Sequence, residues 1–401
     1  SMSGKAFVPP PRRADDILLI LNQPSTESGE IQKARALMQE EAPNTKDRAS
    51  LAMFYLRRGE AASLLGRYDA FLSDLTLALN HAEEDGKIFT SKMDYAKILM
   101  LLANAESDVG SIQRAVRLLQ KGLQVYPLTT MYYLLAWKYI LVGDLENAQR
   151  MTDQGVDFCN QVMNRWSGRG RFWAEVDKLR LVAGMMEAKG LLKESEADRR
   201  KVVDLLESGI RRQYGSSKAA LFHRYRLALN LAFQNRLVEA EYEIRKALKG
   251  AVAAGGTQSA LVGEIAVHYG YILLLQERFQ EAGKIIGTAV DMFQTTGFSE
   301  KTQIRLDANR YLGQAYLLQH RFQEASAWFR KAVPDRGDAL SYGRGIARSP
   351  DVILTQVKTG ASDEASKIIE EVLEDHRRVF GREHVRTSEI LALRGMVRAR
   401  R

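Results

Sequence analysis

One phrase recurs from end to end of this 401-residue chain, and it limits the fold more than any other feature. A small residue sits inside an apolar helix. Then come a turn, an aromatic or aliphatic residue, and an alanine. The clearest copy is Tyr311-Leu312-Gly313-Gln314-Ala315-Tyr316, then His320-Arg321-Phe322-Gln323-Glu324-Ala325, then Phe329 and Ala332. Leu227-Ala228 followed by Asn235-Arg236-Leu237-Val238-Glu239-Ala240 is a second copy. Tyr269-Gly270 followed by Glu277-Arg278-Phe279-Gln280-Glu281-Ala282 is a third. Earlier turns fall at Gly66, Gly110, Gly143 and Gly190, and a late one at Gly360. Small residues such as Gly313 and Ala325 let two antiparallel helices approach closely, and Phe322 and Phe329 fill the space between successive pairs. No such pair can bury its apolar face alone, so the units must stack into one continuous core.

The phrase resembles the tetratricopeptide repeat, with its large residue, Leu-Gly or Leu-Ala, Tyr, short turn, and then Ala, Phe and Ala. Successive turns are separated by 44, 33, 47, 45, 42, 43 and 40 residues. Most intervals exceed the standard unit of about 34 residues, which predicts longer helices or loops, as in repeats of the kinesin-light-chain type. The resemblance implies an all-α, right-handed superhelical solenoid of about eight to nine antiparallel helix pairs. Residues 1–13, with Pro9-Pro10-Pro11, form an extended lead-in. Residues 14–43 form a capping helix pair, and residues 44–384 form the repeats. Residues 385–401 are an incomplete final repeat, which suggests continuation into a longer protein. Loops are expected at Asn164–Gly170, Gly250–Gly256 and Pro334–Ser349, the last being the best candidate for a mobile segment.

Composition removes several function classes. Lys and Arg total 58 against 49 Asp and Glu, a net charge of +9. The bases are interspersed with acids along the helices, whereas nucleic-acid binders concentrate charge on one stripe. A nucleic-acid-binding solenoid is therefore the second reading. Apolar runs such as Met131–Trp137 are too short to span a bilayer. The single cysteine, Cys159, excludes a disulfide framework and has no neighbouring base to activate it. None of the six histidines lies four residues from another on a helix, and His376 and His384 are too loosely spaced for a metal site. Gly168-Arg169-Gly170 and Gly343-Arg344-Gly345 lack the strand and Lys-Ser/Thr ending of a phosphate loop. No cofactor, metal or catalytic residue is expected, and the chain reads as non-catalytic.

In tetratricopeptide proteins the first helix of each pair lines a concave face. The resemblance therefore points inward Asn104 of the second pair, Tyr133 and Trp137 of the third, and Arg180 of the fourth. Tyr225 and Arg226 follow from the fifth, His268 and Tyr271 from the sixth, and Arg310, Tyr311 and Gln314 from the seventh. Tyr, Trp and Arg are the residue types in which interface binding energy concentrates. Some of these rings also suit packing between neighbouring helices. The alternating Lys and Asn of chaperone-binding members is absent, since Leu56 and Glu60 stand in the first pair and Met100 and Asn104 in the second. A partner segment with acidic and apolar residues suits Arg180, Arg226 and Arg310.

A narrower resemblance covers most of the chain. Phe7-Val8-Pro9-Pro10-Pro11-Arg12, Ala14-Asp15-Asp16-Ile17-Leu18, Phe54-Tyr55-Leu56-Arg57-Arg58-Gly59 and Val379-Phe380-Gly381-Arg382-Glu383-His384 are similar to segments of proteobacterial tetratricopeptide proteins that carry a C-terminal CHAT domain. That domain has a caspase-like protease fold with a His-Cys pair, to which nothing here corresponds. The resemblance implies a sensor or regulatory half. Its groove would bind a protein segment, either a trigger or the missing C-terminal domain. Residues 1–13 hold no apolar leader, and the compartment, bacterial cytoplasm or periplasm, stays open.

Overall fold

The computed structural model describes residues 9–11, 13–23, 28–333, 348–380 and 385–399. It is a stack of helix pairs. Two short helices come first, α1 (Asp15–Leu21) and α2 (Gly29–Leu37). Eight pairs follow among the described residues: α3 (Arg48–Leu64) with α4 (Tyr68–Ala82), α5 (Lys92–Asp108) with α6 (Ile112–Val125), α7 (Thr129–Leu141) with α8 (Leu145–Arg165), and α9 (Gly168–Ala188) with α10 (Leu192–Arg211). Next are α11 (Ser217–Phe233) with α12 (Leu237–Gly255), α13 (Ala260–Leu275) with α14 (Phe279–Thr295), α15 (Gln303–Leu318) with α16 (Phe322–Ala332), and α17 (Pro350–Thr359) with α18 (Ser362–Phe380). Helix α19 (Val385–Arg398) packs on α17 and α18 as a further first helix. A two-stranded ribbon, β1 (Glu83–Glu84) and β2 (Lys87–Ile88), joins α4 to α5 and lengthens the first interval.

Every turn is made the same way. Gly66, Gly110, Gly143, Gly190, Asn235, Glu277, His320 and Gly360 all have positive φ, from 61° to 95°. In each turn the next residue's N–H reaches the carbonyl five residues back at 2.8–2.9 Å, as in Arg67 to Ala62, Arg236 to Leu231 and Ala361 to Gln356. This left-handed cap satisfies the last carbonyls of the first helix and reverses the chain in the fewest residues. Several first helices open on a side-chain cap, with Asp47, Ser91, Ser216 and Ser259 each accepting a backbone N–H.

Within a pair, small residues set the spacing. A Cβ on Gly313 would lie 2.6 Å from the Phe329 ring, and one on Gly270 would lie 2.2 Å from Ile286. Ala325 is fully buried beside Leu317 and Phe329. Ala325→Leu should therefore destabilise the protein by about 1–3 kcal/mol through overpacking. A chemical-denaturation midpoint equal to wild type would contradict this packing of α15 on α16.

Between pairs, a polar ladder repeats. Gln234, Gln276 and Gln319 donate to the carbonyls of Leu192, Leu237 and Phe279 at 3.4, 3.1 and 3.3 Å, each tying a first helix to the preceding second helix. Arg236 and Arg278 reach back from their turns to Glu196 and Glu241 at 2.5 and 2.8 Å.

The stack curls until its start meets its later pairs. Gly66 lies against the ring of Phe298 in the α14–α15 loop, and Tyr68 packs on that ring at 4.9 Å. The Ser299 hydroxyl donates to Asp69 at 3.3 Å across 230 residues of sequence. Helix α1 lies on the second helices α12 and α14, with Ile17 and Leu21 buried in their core. Arg245 of α12 holds it, donating to Asp16 at 2.7 Å and to the Arg13 carbonyl at 2.8 Å. The two short helices expected as one cap thus serve different places, because α2 packs on α3 while α1 packs on α12 and α14. The loop expected over 164–170 shrinks to Trp166-Ser167, and α12 runs through Gly250 to Gly255. Residues 334–347, most of the third expected loop, lie outside the described residues.

Candidate functional site

The first helices line the inside of the curl, where α7 touches α9 and α13 touches both α11 and α15. Their side chains form a run of stacked rings and guanidinium groups. Arg180 of α9 lies over the Tyr133 ring of α7 at 3.8 Å, and Arg226 of α11 lies over Trp137 of α7 at 4.7 Å. Tyr225 stacks on His268 of α13 at 5.1 Å, and Tyr271 on Tyr311 of α15 at 4.8 Å. Arg310 covers the Tyr311 ring at 4.6 Å. Gln314 donates to Asp351 at 2.6 Å, linking the run to the eighth pair. Cation–π contacts are worth about 0.5–1 kcal/mol when exposed and about 2 when desolvated, so the half-buried pairs hold one another in place.

Carboxylates fix the arginines from behind. Asp177 is fully buried and accepts from Arg180 and from the hydroxyls of Thr129 and Thr130, all at 2.7 Å. Glu187 takes both prongs of Arg199 and the Asn230 amide, while Arg226 stays 3.9 Å from it. Arg226 therefore carries the least neutralised charge of the group.

Three titratable groups report the sign of this field. Burial, then Arg180, Arg199 and Arg226, hold His223 well below the ordinary histidine value. Burial, then Arg226 and Arg310, push His268 down to about 3. Burial opposes ionisation of Tyr133, yet Arg180, Arg226 and Arg199 together keep its pKa below that of an ordinary tyrosine. Two buried nitrogens in the same region, Arg180 Nε and His268 Nδ1, have no hydrogen-bond partner.

On the side facing the first pair the balance changes. Burial raises Asp108 from 3.8 to about 7, with Lys138 opposing and Glu264 adding to the shift. Between those values the folded chain holds a proton that the unfolded chain has released. This stabilisation is present below about pH 4 and is lost as pH rises to about 7. Asp108→Asn should therefore gain stability relative to wild type at pH 8 compared with pH 5, read as urea midpoints. Equal differences at the two pH values would contradict the shift.

Of the residues expected in the groove, Tyr133, Trp137, Arg180, Arg226, His268, Tyr271, Arg310 and Gln314 are half-buried on the first helices. Tyr225 and Tyr311 are 3% and 7% exposed and belong to the core, so their rings support the wall instead of facing an incoming chain. Asn104, half-buried on α5, joins none of the stacked contacts among the described residues. Sequence reasoning missed Arg199, Glu187, His223, Glu264 and Tyr68. The first four sit where several pairs converge, and no local spacing marks them. Cys159 is fully buried and its thiol is pushed up to about 12, chiefly by burial, which fits packing. His384, and the glycine loop at 343–345, lie outside the described residues. Gly168-Arg169-Gly170 is the first turn of α9. No described helix is long and apolar enough to cross a membrane.

Residues 358–386 match the tetratricopeptide-repeat family model. No curated protein matches the chain in sequence. Among solved structures, the chain is similar to a signal-transduction ATPase of the STAND class with a tetratricopeptide-repeat sensor from Pyrococcus horikoshii. The identity is 14% and the TM-score 0.49, covering 88% of this chain and 55% of that one. It is also similar to yeast Tom70, at 13% identity and TM-score 0.46 over 96% of this chain and 72% of that one. BtubC from P. vanneervenii aligns at 16% identity and TM-score 0.41, over 57% of this chain and 89% of that one.

Proposed function

We propose that this tetratricopeptide-type solenoid is an interaction scaffold whose inner face binds a protein segment carrying acidic and apolar residues. The observation that carries the reading is the run of paired rings and guanidinium groups from Tyr133–Arg180 through Trp137–Arg226 to Tyr271 and Arg310. Such groups offer large apolar area together with charge-assisted hydrogen bonds, and buried carboxylates and stacking have already ordered them. A partner therefore pays little to fix them.

Arg226 is the point of greatest expected effect. Its guanidinium is supported by Trp137 and only distantly matched by Glu187, so an incoming carboxylate completes its pairing. The test is to select binding peptides from a random display library and titrate the best by calorimetry. Arg226→Ala and Trp137→Ala should each weaken it by at least about tenfold, the size of an interface hot spot. Affinity unchanged in both variants would overturn the assignment of the inner face.

The finer reading is a regulatory half. The resemblance of residues 7–18, 54–59 and 379–384 to CHAT-linked repeat proteins supports a role as the sensor region of a larger caspase-like protein. The segment that binds is then either a trigger or the protease part itself. The charge distribution favours this over nucleic-acid binding, because Arg180, Arg199, Arg224, Arg236, Arg245 and Arg278 are each paired with an acid. A steep loss of oligonucleotide affinity with salt would support the nucleic-acid reading instead.

A further inference from the structure

Where the first pair meets the later ones, the curl forms a partly open cleft of about 390 Å³. Its walls come from five pairs. Ser63 and Tyr68 belong to the first, Thr130 to the third, Trp173 and Arg180 to the fourth, Phe222 and His223 to the fifth, and Ala260 to the sixth. Tyr68, one of its walls, is held in place by the Phe298 ring, 4.9 Å away. Its volume lies within the range of small-molecule sites, on the order of 300–1,000 Å³, and is far short of what an extended segment occupies.

The lining has a definite chemistry. Tyr68, Trp173 and Phe222 give three aromatic walls, and the Trp173 N–H is already spent on the Tyr214 carbonyl at 3.0 Å, leaving its ring as apolar surface. Two cations border the space. Arg180 is balanced by Asp177, but its buried Nε makes no hydrogen bond. Lys218 is exposed at the solvent side, with no carboxylate in salt-bridge range among the described residues. The acid in the wall, Glu264, accepts from the Tyr225 hydroxyl at 2.5 Å, and burial shifts it toward its protonated form. His223 is held neutral and so adds no charge. The unspent donors of the lining, the Arg180 Nε and the Lys218 ammonium, stand beside aromatic walls, which matches one negative charge on a flat apolar body better than a doubly charged phosphate.

We propose that this closure cleft is a binding site for a small aromatic monoanion, and that its occupancy favours the closed form of the solenoid. The proposal rests on the inner face being a binding surface, but it names a different ligand, and of the segment-binding run it shares only Arg180. Because Tyr68 is part of the wall only when the first pair is docked, a ligand that touches it binds the closed form better and must shift the equilibrium that way.

The probes are 8-anilinonaphthalene-1-sulfonate and its neutral counterpart N-phenyl-1-naphthylamine, which share one body and differ in the sulfonate. In fluorescence titrations of the full chain, the anion should bind one saturable site at least about fivefold more tightly than the neutral dye. General apolar adsorption would give the reverse order. Arg180→Met should weaken the anion about tenfold and leave the neutral dye within about twofold. Should that variant fold poorly, Lys218→Met, an exposed change, should weaken the anion by about threefold alone. Phe298→Ala should weaken both dyes, and the bound anion should slow amide exchange over residues 66–71. The proposal is overturned if the dyes bind equally, if neither cation variant affects the anion, or if no saturable site is found up to millimolar dye. A selected peptide that depends on Arg226, with no such dye site, overturns this proposal alone. A dye site that depends on Arg180, with no selectable peptide, overturns the segment reading alone.

Discussion

Glu241→Ala is expected to destabilise the protein by about 3–5 kcal/mol, because it removes the buried acid that Arg245 and Arg278 share, leaving them only their outer partners Asp16 and Glu281. Glu241 is 3% exposed on α12. One carboxylate oxygen accepts from Arg245 and from the Tyr269 hydroxyl, both at 2.9 Å. The other accepts from Arg278 at 2.8 Å and from Gln276 at 3.0 Å. Two adjacent pairs and the turn within the second of them thus converge on one side chain, and Arg245 carries the link on to α1 through Asp16. Glu241→Gln keeps the shape and loses the charge, so it should fall between wild type and alanine. Asp16→Ala breaks only a partly exposed pair and should cost below about 1 kcal/mol. Denaturant unfolding followed by amide exchange checks both the size and the place of the effect. The alanine variant should lose protection in α12, α13 and α1 first. A change below about 1 kcal/mol would remove Glu241 from this role.

Phe298→Ala is the second large effect, at about 3–5 kcal/mol from lost burial and the cavity left behind. Its consequence is also geometric. The Phe298 ring packs on Phe293 at 4.4 Å and on Tyr68 at 4.9 Å, and it occupies the space beside Gly66 where any Cβ would sit 2.4 Å from it. Gly66 is both a left-handed turn and the point of contact, so this turn has two reasons to be glycine. Without the ring, the first pair should detach from the α14–α15 loop. Small-angle scattering should then show a larger radius of gyration, and residues 66–71 should exchange faster while α11 and α12 stay protected. Equal exchange and an unchanged radius would mean that Phe298 stabilises its own pair only.

The turns were legible in the sequence because each demands one residue in the left-handed region, followed in most copies two positions later by an aromatic or aliphatic residue. All eight predicted turn positions have positive φ, including the non-glycine Asn235, Glu277 and His320. The pairing of helices followed from the same phrase. Gly168, Gly170 and the Gly250–Gly256 stretch misled, since glycine was read as a helix breaker. At Gly168 the chain is starting a helix, and Ala251, Ala253 and Ala254 are strong enough helix formers to carry α12 past Gly250. Closure was not legible. It depends on small rotations summed over six unequal repeats, and nothing local marks Tyr68 and Phe298 as neighbours. The contacts of the first helices were partly legible, since the same spacing put Tyr133, Trp137, Arg180 and Arg226 on first helices, where they stack on one another. The same spacing could not separate Tyr225 and Tyr311, whose rings turn into the core, from residues that face the lumen.

The most direct test of the inner face as the binding surface is the hydrogen-exchange footprint of a display-selected peptide on the intact chain. The account predicts slowed exchange in the inner helices α7, α9, α11 and α13, with the outer helices α8, α10 and α12 unchanged. Protection confined to those outer helices would contradict it.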